Sequence, residues 1–343
     1  MTNADEGFAA SLQASPGIDT DVEEQPQRLA VDQTKPVVVT GAAGMVGTEV
    51  CRRLVRDGWK VRAVVRDAPK ALARFGQLPV EIRVTDIRNA DSMRAALTGA
   101  GALIHLAAIA IERPGQTYEE VNAGATRILL DAAAATGVDR FVYMSQNGAD
   151  SKSRYSFLRS KGVAEEMVTS TGTGWTVHRP SVIFGPDDEF VNVLARMIRL
   201  SPVIFPLPGG GKARSQPVAV ADVASAVVKS LGERSAVRAS FSLGGPIPLD
   251  LRQMTERILI AMGTSRKLVS TPVAAIRPLI AAAQKLLPNP PVTTGLLELL
   301  EIDNVIARND LPALGISPTP FAPEELLYLR NITAGSALKS LFK

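Results

Sequence analysis

The chain has 343 residues, 46% hydrophobic and 21% charged, and 38 basic against 34 acidic side chains leave a net charge of +4. That length suits one large α/β domain with a smaller lobe, and so small and dispersed a positive surplus argues against a nucleic-acid-binding surface. A single cysteine, Cys51, rules out an intrachain disulfide framework, and with only His105 and His178 no metal centre built from cysteine or histidine is expected.

No apolar run reaches the ~18 residues that mark a transmembrane helix. Residues 1–34 carry Asp5, Glu6, Asp19, Asp21, Glu23 and Glu24 among Ser, Gln and Pro. They read as a disordered acidic tail rather than a secretory or transit sequence, which points to a reducing cytoplasm. Order is expected from Lys35-Pro36 onward.

Val37 to Thr40 is a short β-branched run ending in Gly41, as a buried parallel strand does. From Gly44 to Asp57 the pattern turns helical, with Val46, Val50 and Leu54 on one face and Gly58 at the C-terminal cap. A strand at Val61 to Val65 completes a βαβ unit. The alternation continues with strands at Val80 to Val84, Ala102 to Leu106, Arg140 to Met144 and Val177 to Arg179. Helices are expected over Asn89 to Leu97, Ala123 to Ala135 and Phe157 to Ser170. Such alternation predicts a doubly wound parallel Rossmann sheet over residues 35–180. After Pro180 the texture becomes Gly- and Pro-rich, with Pro206-Leu-Pro-Gly-Gly-Gly211, a helix at Asp222 to Leu231 and a strand at Ser240 to Leu243. Residues 181–343 are expected to complete the sheet and form the smaller lobe.

Thr40-Gly41-Ala42-Ala43-Gly44-Met45-Val46-Gly47 follows a strand and opens a helix, the setting in which a glycine pattern signals dinucleotide binding. Gly41 permits the turn, Gly44 admits the pyrophosphate, and Gly47 lets helix and sheet pack closely. At the end of the second strand an NAD site wants a carboxylate, whereas NADP favours a cation. Arg66 there favours NADP(H) over NAD(H), with Asp67 beside it as the competing NAD ligand.

With these residues the chain resembles the extended short-chain dehydrogenase/reductases of the epimerase/dehydratase superfamily. Asp86-Ile87, His105-Leu106-Ala107-Ala108, Val121-Asn122 and Arg179-Pro180-Ser181-Val182-Ile183-Phe184-Gly185-Pro186 carry the resemblance beside the glycine motif. It implies that Gly41, Ala43, Gly44, Met45 and Val46 border the pyrophosphate and that Asp86 and Ile87 flank the adenine. Ala107 and Ala108 would pass along the ribose and nicotinamide, with Leu106, Asn122, Lys161 and Pro180 also on the cofactor side. Asn122 stands as a structural or active-site amide, and His105 as a satisfied buried histidine.

Catalysis in that family uses a Ser or Thr with a Tyr-x-x-x-Lys pair, whose spacing sets both side chains on one helical face. Ser145 and Lys161 fill their positions, but Phe157 stands where the tyrosine belongs. Tyr155 is the nearest substitute; six residues before Lys161, it lies roughly 120° off the lysine's face.

A narrower resemblance accounts for this pairing of an intact cofactor site with damaged chemistry. Gly185-Pro-Asp-Asp-Glu-Phe190-Val-Asn192, Pro206 to Gly211, Gln216 to Val223 and the stretch Leu296 to Leu329 are similar to the NAD(P)H-binding accessory subunits of respiratory complex I. The resemblance implies a structural nucleotide with weak or no turnover, and partners in complex I or a quinone-related assembly. The alternative is an NADP-dependent oxidoreductase or epimerase acting on a quinone precursor, an isoprenoid or a nucleotide-sugar. Residues 272–287, rich in Ala, Leu and Ile with Arg277 and Lys285, suit a contact with another subunit, a peripheral contact with the cytoplasmic face of the inner membrane, or a core helix with Pro278 near its first turn. Arg52, Arg53 and Arg56 read as a solvated helix face, and Asp187 and Asp188 as substrate ligands or loop caps.

Overall fold

The computed structural model describes residues 31–287, 290, 292–300 and 302–342; the acidic stretch 1–30 lies outside them. Seven parallel strands form the central sheet: Val37–Thr40 (β1), Val61–Val65 (β2), Val80–Val84 (β3), Ala102–His105 (β4), Arg140–Met144 (β5), Gly174–Pro180 (β6) and Ala239–Leu243 (β7). Their order across the sheet is β7-β6-β5-β4-β1-β2-β3. The chain therefore reverses its winding between β1 and β4, and the crevice at their C-terminal ends is where ligands of open α/β sheets bind.

Alternation along each strand divides the core in two. Val37, Val39, Ala63, Ile104 and Val142 face Met45–Arg56 (α1), Ala68–Phe75 (α2) and Val220–Gly232 (α7), through Val50, Leu54, Phe75 and Val227. Val38, Val64, Leu103, Phe141 and Tyr143 face the opposite layer, Ala90–Leu97 (α3), Ala125–Thr136 (α4) and Ser156–Thr169 (α5), through Met93, Leu129 and Val168. Apolar groups on both faces are what a sheet covered by helices on each side requires. A third cluster, built from Val191–Leu200 (α6), Leu251–Ala261 (α8), Phe205, Phe321 and Leu329, makes the core of the smaller lobe.

Several boundaries differ from the sequence reading, each for a local reason. Ordered packing starts before Lys35, because Val31 rests against the first core cluster. Helix α2 is not among the expected elements, although Ala71 and Phe75 stand at helical spacing and are buried; Asp67 caps it by accepting from the Lys70 amide at 2.9 Å. A π-helical turn, Glu119–Gly124, runs into α4, so the helix begins earlier than Ala123. Arg53 is not simply solvated: it donates to Ser225 Oγ at 3.0 Å and ties α1 to α7. Val273–Leu286 (α9) is no core helix, for it buries none of its residues, and Pro278 sits inside it rather than in its first turn. Helix α9 packs against Thr294–Leu299 (α10), braced by an Arg277–Glu298 ion pair of 2.7 Å.

Close backbone approach fixes where the first helix can lie. A methyl group on Gly47 would come 2.2 Å from the Gly41 carbonyl oxygen and 2.7 Å from the Ala42 Cα. Gly47→Ala is therefore expected to cost about 2–3 kcal/mol through forced displacement of α1. Gly232→Ala, where nothing lies within 4 Å, should stay within about 0.5 kcal/mol of the parent. Urea unfolding of both variants checks the pair; equal stabilities would remove the packing role given to Gly47.

Candidate functional site

The site begins where β1 stops. Gly41 adopts φ +68°, and its carbonyl accepts from the Gly44 amide at 2.9 Å to close the turn. A Cβ on Gly41 would stand 2.8 Å from the Ala107 nitrogen, so the loops after β1 and β4 touch backbone to backbone. Gly44 precedes α1 without a side-chain cap, and the first turn, opened by Met45 and Val46, carries no acid. An uncapped helix start presents unsatisfied N–H groups and the positive end of the helix dipole, so the cradle fits a pyrophosphate.

Around the far end of the crevice the charges are mixed. Arg66, just past β2, is exposed and donates to Gln116 Oε1 at 3.2 Å. Asp67 is engaged at the start of α2. Asp86 accepts from Arg88 through both its backbone amide and its guanidinium, at 2.8–3.2 Å, and that hydrogen bonding holds its carboxyl below the usual range. Ile87 beside it is buried. Arg88 is a second cation near Arg66 that no motif announced; it also donates to the Gly115 carbonyl at 2.7 Å.

His105 is a satisfied core histidine. Its Nδ1 lies 2.8 Å from Thr40 Oγ1 and its Nε2 3.0 Å from Thr126 Oγ1. Thr126 already donates its proton to the Asn122 carbonyl at 2.6 Å. Nε2 must therefore be the donor, and Thr40 donates to Nδ1. Burial drives the imidazole pKa down to about 3, which keeps it neutral. Asn122 is a clamp: its amide accepts from the Ile109 nitrogen at 2.9 Å and donates to the Ile109 carbonyl and to Ser160 Oγ. That pins the segment following Ala107 and Ala108.

At the nicotinamide side expected from the resemblance, β5 delivers Ser145 and α5 delivers Lys161. Ser145 Oγ is buried with no partner in the protein. Lys161 Nζ donates to the Met144 carbonyl at 2.6 Å and stands 4.5 Å above the Tyr143 ring. Burial lowers its pKa to about 7, and the neighbouring Glu165 only partly counters this. Glu165 is itself buried and paired with Arg179. Pro180 ends β6, where its carbonyl accepts from the Asn147 amide at 2.9 Å. Asn147 Nδ2 in turn donates to Asn304 Oδ1 at 2.8 Å, which brings the C-terminal stretch to this end of the sheet.

Phe157, one turn before Lys161, has no hydroxyl to offer; its ring meets that of Tyr118 edge-on at 5.7 Å. The Tyr118 hydroxyl donates to the Ala110 carbonyl at 2.7 Å, and burial raises its pKa to about 12. Tyr155 caps no backbone group at the start of α5; its hydroxyl and ring are both engaged by Arg154. Phe157, Tyr118 and Tyr155 share one wall of a cavity of about 250 Å³, whereas Lys161 does not line it. Sequence reasoning missed Tyr118 because nothing marks a tyrosine outside the Tyr-x-x-x-Lys spacing, and missed Glu165 because a helical acid four residues past a lysine reads as surface.

Asp188 is a buried loop cap, accepting from the amides of Phe190 and Asn192, and Asp187 pairs with Arg74 at 3.0 Å. Neither stands free as a substrate ligand. Among the described residues no cluster of His, Cys, Asp or Glu could hold a metal ion, and no helix is long and apolar enough to cross a membrane.

Residues 41–234 match a family described as NAD(P)H-binding. NADH dehydrogenase [ubiquinone] 1 alpha subcomplex subunit 9, mitochondrial, from Mus musculus is 32% identical over 306 residues, 85% of this chain and 79% of the relative. Its namesake from Arabidopsis thaliana is 30% identical over 224 residues, and there the match spans only 56% of the relative's length. A ceramide reductase from Caulobacter vibrioides is 30% identical over 176 residues, about half of each chain, at 51% and 55%. Among solved structures, UDP-glucose 4-epimerase from Thermotoga maritima superposes with a TM-score of 0.66 at 19% identity, covering 89% of this chain and 99% of that one. The chain belongs to the NAD(P)H-binding family, on the Rossmann fold that the epimerase shares.

The buried ammonium gives a checkable pH signature. Lys161 has a folded pKa of about 7 against 10.5 for the free side chain, so between those values the unfolded chain binds more protons. Stability should therefore rise with pH from about 7 toward 10, at a slope approaching ~1.4 kcal/mol per pH unit for this residue. Urea midpoints at successive pH values should show the rise in the parent and a flatter profile in Lys161→Met. Identical slopes would mean that Lys161 is solvated.

Proposed function

As a member of the NAD(P)H-binding family, this chain, we propose, holds NADP(H) as a lasting part of its fold and serves as an accessory or assembly subunit with little or no turnover. The observation that carries the reading is Phe157, packed on Tyr118 where a proton-donating phenol would be needed. Loss of a positioned acid or base typically removes about two to four orders of magnitude in rate. The cradle beside it is complete, and its glycines tolerate no side chain at two of three positions.

In this reading Gly41, Ala43, Gly44, Met45 and Val46 receive the pyrophosphate, and Arg66, backed by Arg88, takes the ribose 2′-phosphate. Asp67 is committed to capping α2, which favours NADP(H) over NAD(H). Asp86 and Ile87 border the adenine; Leu106, Ala107, Ala108, Asn122, Lys161 and Pro180 frame the other ribose and the nicotinamide. When bound, the nicotinamide supplies a hydride donor or acceptor. A nucleotide that binds only the folded chain adds about 2.7 kcal/mol at a hundredfold excess over its dissociation constant, a useful contribution for a structural subunit.

The name shared by the mouse and Arabidopsis relatives supports partners in complex I or a quinone-linked assembly. The unburied apolar helix α9 supports a peripheral contact with a membrane surface or another subunit, on the cytoplasmic face of the inner membrane in a bacterial host. A second reading is favoured by Ser145 Oγ, which is buried and unpartnered beside a lysine of lowered pKa, as a working site would keep it. The chain would then be an NADP-dependent oxidoreductase or epimerase on a quinone precursor, an isoprenoid or a nucleotide-sugar, and the ceramide reductase relative supports a lipid among these.

Native electrophoresis of gently solubilised host membranes separates the readings. The accessory subunit co-migrates with a large NADH-oxidising assembly, and Phe157→Tyr leaves that assembly intact. A small free species whose substrate-dependent nicotinamide oxidation is abolished by Lys161→Ala would instead establish the enzyme. For the cofactor itself, Arg66→Ala should lose about 1.5–3 kcal/mol of NADPH affinity and leave NADH nearly unchanged. Equal loss for both nucleotides would put the 2′-phosphate contact elsewhere.

A further inference from the structure

The segment that leaves β4 reaches toward both ends of the crevice. At its base Asn122 holds Ile109 by both backbone groups, and the Tyr118 hydroxyl donates to the Ala110 carbonyl. Glu112 accepts from the Tyr118 amide at 2.8 Å, so residues 109–118 form a loop closed across its neck. At the tip Arg113 and Gln116 exchange backbone hydrogen bonds of 2.9 and 3.1 Å around Pro114 and Gly115. Proline followed by a glycine at φ +74° is the pattern of a type II turn, whose shape the sequence largely presets.

Two guanidinium groups fasten that tip to the sheet. Arg66, past β2, donates to Gln116 Oε1 at 3.2 Å, and Arg88, past β3, donates to the Gly115 carbonyl at 2.7 Å. The loops after β2, β3 and β4 therefore meet at one turn. Arg88 is paired with Asp86, whereas exposed Arg66 makes no ion pair among the described residues and rests on a neutral amide. A cation in that setting is suited to an anion, and a phosphate monoester brings ~1.5–2 negative charges at neutral pH. Because the Gln116 oxygen faces Arg66, its Nε2 is the donor that side chain has left. A phosphate at the turn receives hydrogen bonds from the guanidinium and from this amide together; an uncharged ribose hydroxyl draws far less from either. Only Thr117 separates Gln116 from Tyr118, so a restraint on the tip reaches the neck of the loop directly.

We propose that the Arg113–Gln116 turn is a clasp for the ribose 2′-phosphate, in which Gln116 is an uncharged third ligand beside Arg66 and Arg88. Phosphate binding at the tip then steadies the whole loop, including Tyr118 and its contact with Phe157. The clasp rests on the cofactor reading above. It adds a specificity residue that lies outside the second strand, and a physical link from the adenosine end of the crevice to the other.

Adenosine 2′,5′-bisphosphate and 5′-AMP test the link, because both lack the nicotinamide and they differ only in the 2′-phosphate. Hydrogen exchange of the full chain, read by mass spectrometry, should slow over residues 109–118 with saturating bisphosphate and keep its unliganded rate there with saturating 5′-AMP. Titration calorimetry with NADPH and NADH tests the ligand. Gln116→Ala should weaken NADPH about tenfold, ~1.4 kcal/mol for one hydrogen bond to a charged oxygen, and leave NADH within about twofold. Gln116→Glu sets a carboxylate against the phosphate and should weaken NADPH further, again sparing NADH. Without nucleotide both variants should melt close to the parent, since Gln116 is only half-buried and its partner Arg66 is exposed. Equal losses for NADPH and NADH, parental NADPH affinity in both variants, or equal loop protection by 5′-AMP and the bisphosphate overturns the clasp while the cofactor reading stands. A parent that binds neither NADPH nor the bisphosphate overturns the cofactor reading and the clasp with it.

Discussion

Two backbone contacts without room for a methyl group hold the molecule's functional end together. At Gly41 the loop after β1 meets the loop after β4, and at Gly47 the first helix meets the turn that precedes it. Everything at the crevice is positioned by these approaches: the uncapped start of α1, the path of Ala107 and Ala108, and the Thr40–His105–Thr126 chain beneath them. A neutral imidazole between two hydroxyls suits that place, since a charged ring there would be stripped of water and would face the ammonium of Lys161.

Much of this was legible because the signals are local. A strand with apolar groups on both faces, a glycine pattern at its end and a helix beyond it are set by short-range sterics, and the first five strands of the sheet lie where periodicity puts them. What stayed hidden depends on contacts between distant segments. Asp188 reads equally well as a ligand or a cap until the amides of Phe190 and Asn192 are seen to converge on it. Arg88 and Tyr118 belong to no motif and acquire meaning only through what the fold sets beside them. The apolar stretch 272–287 has core-like composition yet buries nothing, because composition cannot say whether a partner surface exists within the same chain.

The electrostatics around α5 divide into two parts with different dependence on the missing phenol. Lys161 is held by the Met144 carbonyl, the Tyr143 ring and the proximity of Glu165, none of which involves position 157. Phe157 instead faces outward to Tyr118 and the hairpin cavity. Phenylalanine at that position offers no proton donor; the aromatic contact with Tyr118 is kept and the lysine has its own acceptor, while Ser145 Oγ stays buried and unpartnered. Losing Lys161, by contrast, would leave Glu165 with one cation fewer in a dry setting.

In the proposed reading, that separation lets a nucleotide-holding fold outlive its chemistry. The pyrophosphate cradle depends on β1, α1 and the loop after β4, and proton transfer depends on the first turn of α5. Between them the Asn122–Ser160 contact braces the intervening segment and does not involve Phe157's ring. On that reading a substitution in the first turn of α5 would remove acid–base work while the binding energy of the nucleotide remained available to stabilise the folded chain. Without turnover, the wall of the cavity beside Phe157 would be free of the demand to orient a reacting atom.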